Sequence, residues 1–205
     1  MKSFYVLALL LLTLPLTALA QQTVTYNWDS SPNTVLYVYG NGNATIETDT
    51  VHSGTQSLRF EEDPIGGTPQ ACVAWVRNLV DGDEVTASFW VYDNTPSASP
   101  SGRIWGHWND SADPDSVLRY DGSAGGNSTF SDGTGWEQLE WTWTADSIHT
   151  GVIIEARIYA SASADANVIW LDDLSITAPG TATFIFPNTG TSLNRNTWGA
   201  IKSSF

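Results

Sequence analysis

Apolar and polar residues alternate with a period of two along most of this chain, and Gly, Asn, Asp, Ser and Pro repeatedly interrupt the alternation. In an extended strand successive side chains point to opposite faces, so Val85, Ala87, Phe89 and Val91 share one face while Trp90 and Tyr92 share the other. Leu139, Trp141 and Trp143 likewise oppose Glu140, Thr142 and Thr144, an apolar set against a polar one that reads as a core face. Helical periodicity is nearly absent. The pattern predicts strands over 23–28, 34–39, 43–51, 56–62, 69–78, 84–93, 102–109, 137–145, 150–160 and 167–177. That number of short strands suits an all-β fold, a two-sheet antiparallel β-sandwich of the jelly-roll kind.

Residues 94–101 and 110–135 are too polar and too rich in turn formers to be core, and read as loops. Segment 1–20 carries Lys2, an apolar run from Phe4 to Leu12, Pro15 and a final Ala18-Leu19-Ala20, the pattern of a secretory signal peptide cut after Ala20. Its apolar run is short for a membrane span, and no second one follows. The sandwich is therefore expected over 21–178. Residues 179–205, where the pattern changes after Ala178-Pro179-Gly180, read as a C-terminal appendage.

Composition narrows the partners. The chain has 22 Asp+Glu against 8 Lys+Arg, a formal net charge of −14 that becomes −15 once Lys2 is removed. So acidic a protein lacks the charge to neutralise phosphates, which argues against nucleic acid and anionic lipid. Cys72 is the single cysteine, so no internal disulfide is available, and Ala71-Cys72-Val73 reads as a strand in which the thiol is a small buried residue.

Ten tryptophans carry the candidate chemistry. An indole offers a broad apolar face and one N–H, the equipment for stacking on a sugar ring while neighbours bond its hydroxyls. The run Gly102-Arg103-Ile104-Trp105-Gly106-His107-Trp108-Asn109 puts Arg103, Trp105 and His107 on one face, with Ile104 and Trp108 on the other. Trp75, Trp90 and Tyr92 are expected to line the same concave sheet. The predicted partner is a polysaccharide or glycan; the rival is a structural or adhesive extracellular protein whose tryptophans are all buried.

Four segments, in order, resemble the galactose-binding-like jelly rolls of the family 4, 9 and 22 carbohydrate-binding modules. They are Val51–Phe60, with its Ser53-Gly54 turn feeding Leu58 and Phe60; Leu79–Tyr92; Gly135–Thr144; and Val168–Ile176, which carries Asp172-Asp173. The resemblance covers roughly 23–178 and implies that fold, with glycan binding in some members and none in others. It also implies a structural calcium held by Asn27 or Asp29, backbone oxygens around Thr50 to Ser53, and Asp172 or Asp173. The chain departs from that pattern at Tyr26-Asn27-Trp28-Asp29, where the family commonly has an acid directly after an aromatic residue. From the residues alone, Asp172-Asp173 reads equally as a strand-end pair capping backbone N–H groups.

No motif supports catalysis. Glycoside hydrolysis needs two carboxyls at a set separation, and nothing singles out such a pair. His52, His107 and His149 lie apart without metal-ligand spacing and read as isolated surface residues, and there is no Gly-x-Ser-x-Gly turn. The ending Thr197-Trp198-Gly199-Ala200-Ile201-Lys202 resembles a short terminus found on unrelated secreted bacterial proteins, which implies cell-surface attachment through the tail. Alternatively, Trp198, Ile201 and Phe205 share a helical face that packs on the sandwich.

Overall fold

A computed structural model describes residues 20–31, 33–64, 66–93, 101–127, 135–159 and 167–187. All of the expected leader except Ala20, and residues 188–205 of the expected tail with Trp198, Ile201, Lys202 and Phe205, lie outside these. In chain order the strands are β1 (Gln21–Tyr26), β2 (Tyr37–Tyr39), β3 (Gly42–Glu47), β4 (Ser57–Glu62), β5 (Gln70–Arg77) and β6 (Glu84–Asp93). They continue with β7 (Ser101–Trp108), β8 (Ser123–Gly126), β9 (Gly135–Thr144), β10 (Gly151–Tyr159), β11 (Val168–Pro179) and β12 (Thr183–Ile185).

Two antiparallel sheets form a β-sandwich jelly roll. The first runs β3-β4-β11-β6-β9 with β1 added to β11, and the second runs β12-β5-β10-β7-β8 with β2 added to β5. Alternation explains how they meet: Val85, Ala87, Phe89 and Val91 of β6 and Val152, Ile154, Ala156 and Ile158 of β10 are all buried in one core. Burial of each larger side chain is worth about 1.5–3 kcal/mol, and every strand contributes some. Trp143 enters the same core and donates to the Gly125 carbonyl at 2.9 Å. Gly106 of β7 lies beneath its indole, where an added Cβ would come within 3.0 Å of the ring.

The long strand β11 changes partners halfway. Val168–Leu171 pairs with β4 and Leu174–Pro179 with β1. At the handover the pairing with β6 also shifts register, and Asp173 adopts φ 48°. This irregularity moves the inward set from Ile169 and Leu171 to Leu174, Ile176 and Ala178, which a strict period of two cannot do.

Three expectations change. The stretch 110–135 is not loop throughout, because β8 pairs with β7. The sandwich does not stop at 178, because β11 reaches Pro179 and Thr183–Ile185 pairs with Arg77–Trp75 of β5. Trp141 points inward opposite Ala87, yet it stays 38% exposed because β9 is, among the described residues, the edge strand of its sheet.

Candidate functional site

The outward face of the second sheet gathers side chains from four strands. Directly paired residues share a face, so the register Gln70–Arg157–Arg103 across β5, β10 and β7 forms one row, with Tyr39 of β2 opposite Gln70. The next row is Tyr37–Cys72–Glu155–Trp105, from β2 to β7. Trp105 and Tyr159 lie 6.5 Å apart, centroid to centroid. The Arg103 guanidinium sits 3.8 Å over the Tyr159 ring and that of Arg157 4.9 Å over Trp105. Trp105 donates its indole N–H to Ser123 Oγ at 3.1 Å, which fixes the ring relative to β8.

Residues 109–122 fold back over part of this face as a strap. Arg77 Nη2 donates to the carbonyls of Ser111 and Ala112, at 3.1 and 2.5 Å, and the Tyr39 hydroxyl donates to the Leu118 carbonyl at 2.8 Å. Burial and nearby negative charge push the Tyr39 hydroxyl up to about 12, so it remains a donor at neutral pH. Val117 packs beneath the strap on Cys72, Trp75 and Ile153, while Leu118 and Tyr120 are exposed above it. Tyr37, Tyr39, His107 and Tyr120 form a chain of rings, with successive centroids 4.8, 5.7 and 5.1 Å apart.

Of the predicted ligand residues, Arg103, Trp105 and His107 share this face as expected. His107, however, is fully buried and bonds through Nδ1 to Glu155 Oε1, so it supports the surface from below. Glu155 accepts from Arg157 Nε at 2.6 Å with its other oxygen. Trp75 is corrected: it lies on the right face but is fully buried, because the strap and β12 cover it. Trp90 and Tyr92 are corrected too: they face outward from the first sheet, on the opposite side of the molecule from Trp105. Strand pairing beyond the reach of local alternation decides this. Sequence reasoning missed Tyr37, Tyr39, Tyr120, Arg157 and Tyr159, although the alternation Glu155-Arg157-Tyr159 against Ala156-Ile158 was available in β10.

On the first sheet's outer face, Trp170, Tyr92 and Trp136 form a transverse row, with centroids 5.6 and 5.4 Å apart. His52 stacks on Trp90 at 4.1 Å. No histidine is isolated, contrary to expectation. His52 pairs with Asp173 and His107 with Glu155, while His149 pairs with Asp110 and stacks on Trp108 at 4.5 Å.

Asp172 and Asp173 lie where β11 passes from β4 to β1, and the 50–56 loop fills that gap. Asp172 Oδ2 accepts the backbone N–H groups of His52 and Ser53, both at 3.0 Å, and its Oδ1 accepts that of Asp173. Burial raises its carboxyl above the usual range, against these bonds. Asp29 Oδ1 accepts from Thr55 N at 2.6 Å and Gln56 N at 3.0 Å, while Oδ2 accepts from Asn27 Nδ2 at 3.0 Å. Those N–H bonds, Thr55 first, hold its carboxyl below the usual range. Calcium needs oxygens converging on one point. Here Asp29, Asp172 and Asp173 accept from N–H, hydroxyl and imidazole partners, and Asn27 donates its Nδ2 to Asp29. Among the described residues, Cys72, His107 and Glu155 bring potential ligand atoms within 4.8 Å of one another. Arg157 already matches the Glu155 charge, and burial holds the Cys72 thiol well up.

No protein-family model and no curated protein matches the chain. Among solved structures, the CBM22-2 xylan-binding domain of Paenibacillus barcinonensis Xyn10C matches with TM-score 0.54 and 16% identity, over 76% of this chain and 98% of that one. The CBM22-1 domain of the same protein gives TM-score 0.52 and 15% identity over 79% and 97%. The C-terminal family 22 module of Clostridium thermocellum Xyn10B gives 0.51 and 14% over 76% and 94%. At these identities the likeness is one of fold. The chain is thus similar, over most of its length, to the jelly-roll β-sandwich of the family 22 carbohydrate-binding modules.

Proposed function

We propose that the protein is a secreted, non-catalytic carbohydrate-binding module that holds polysaccharide on the outer face of its second sheet, by stacking on Trp105 and Tyr159. One observation carries the reading: aromatic rings and hydrogen-bonding groups from β2, β5, β7 and β10 share one outward face, with the strap as its wall. Sugar binding requires that pairing of apolar planes with polar donors. The structures of like fold bind xylan, which makes xylan the first ligand to test.

Affinity electrophoresis through gels containing soluble xylan tests the proposal. Trp105→Ala is expected to abolish retardation with the fold intact by circular dichroism. Tyr92→Ala, on the far sheet, is expected to keep retardation within about twofold, since far-side residues are energetically independent of the site. Retardation lost in Tyr92→Ala and kept in Trp105→Ala would move the site to the other face.

A further inference from the structure

Arg103 and Arg157 are directly opposed in the β7–β10 register, on one face of one sheet. Like charges so placed repel and destabilise a sheet, and an acidic chain has ample means to neutralise them. The described residues contain no lysine, and their arginines are Arg59, Arg77, Arg103, Arg119 and Arg157. Arg59 pairs with Glu61, Arg119 with Asp121 and Arg157 with Glu155, while Arg77 is spent on strap carbonyls. Arg103 differs: its guanidinium lies on the Tyr159 ring, and its Nε is buried without an acceptor. The nearby Glu155 carboxylate is already taken by His107 and Arg157. Arg157 also reaches the Tyr159 hydroxyl at 3.5 Å, so two cationic groups flank one aromatic ring beside Trp105.

We infer that this face recognises an acidic glycan, a polysaccharide bearing uronic acid carboxylates, with Arg103 as the residue that reads the carboxylate while Trp105 and Tyr159 hold the sugar rings. The inference rests on the carbohydrate-binding reading above and narrows its ligand class. A carboxylate accepts the planar fork of a guanidinium through two parallel bonds, a geometry that a sugar hydroxyl cannot supply. Bound beside Arg103, it also supplies a counter-charge that none of the described residues gives this guanidinium. The net charge of −14 does not oppose this, because charges farther away than about 10 Å are largely screened at 0.1 M salt.

The test is calorimetric titration of the full chain with two probes, a xylo-oligosaccharide carrying one glucuronic acid branch and the same oligosaccharide with that carboxyl reduced to the alcohol. The unmodified probe is expected to bind about 10-fold or more tightly than the reduced one, the size of a charge-assisted bond. In Arg103→Gln, which keeps much of the stem but removes the charge, the ratio should fall to within about twofold. Relief of the like-charge pair should leave Tm unchanged or raised. Equal binding of both probes by the wild-type protein overturns acidic recognition while leaving the carbohydrate-binding reading in place. If neither probe binds and xylan does not bind either, both readings are overturned. A ratio that persists in Arg103→Gln removes Arg103 from the role.

Discussion

Glu155 is the residue on which the candidate surface depends most, although it touches nothing outside the protein. It is fully buried, and its two oxygens hold His107 and Arg157 in place. Arg157 in turn lies over Trp105, and His107 packs under Tyr39 and Tyr120. Removing one partner of a buried ionic network leaves the others uncompensated, at a cost of about 3–5 kcal/mol. Glu155→Gln is thus expected to lower the unfolding free energy by about 3 kcal/mol in urea titration, with a parallel loss of glycan retention. A change below about 0.5 kcal/mol would mean that the network contributes only geometry. The alternation in β10 sets Glu155 opposite Ala156 and Ile158, but the strap that buries this part of the face is distant in sequence, so its burial is not legible there.

Among the elements, β12 and β11 show where local patterning stops. The run Ala182-Thr183-Phe184-Ile185-Phe186 reads as a strand, yet nothing local says which sheet receives it. In the structure it closes the edge of β5, Phe184 and Phe186 pack on the core, and Phe186 stacks on Tyr26 at 5.0 Å. Phe184→Ala should therefore cost about 2 kcal/mol, below the 3–5 of a fully buried Phe because the ring is partly exposed. Thermal unfolding measures it, and a cost within about 0.5 kcal/mol would fit an appendage instead. In β11 the handover carries a register shift between Asp172 and Ser175 that the strand's own residues do not announce. A bulge resets the phase, and its position depends on which strands lie alongside.

The charge balance of the whole molecule sets its response to acid. Asp29, Glu47, Asp113 and Asp121 are held below the usual carboxylate range, in each case first by a backbone N–H, from Thr55, Asp49, Asp115 and Asp110 respectively. Stability from a depressed carboxyl is fully present above its unfolded value, near 4, and is lost as pH falls through its folded value. Asp172 works the other way: burial raises it, so its contribution is present below the unfolded value and is lost as pH rises through the folded one. Four depressed carboxyls against one raised predict a net decline below about pH 4. Asp29→Asn, which keeps an acceptor but no titration, should make that decline shallower in denaturant midpoints measured from pH 5 to 2. An unchanged slope would show that the N–H bonds to Asp29 do not shift its proton.

The sequence by itself determined most of the strands and most of their inward faces, because alternation is a property of the strand alone. It also marked Arg103, Trp105 and His107 as sharing a face, since those three positions lie within one strand. Tertiary structure alone decided that Trp90 and Tyr92 look out from the opposite side, that the strap seals Trp75, and that Tyr39 and Tyr159 join Trp105. An outward face can be known from a strand's own residues. Which sheet carries it, and whether another segment then covers it, follows from pairings between residues far apart in the chain, whose energy no local pattern records.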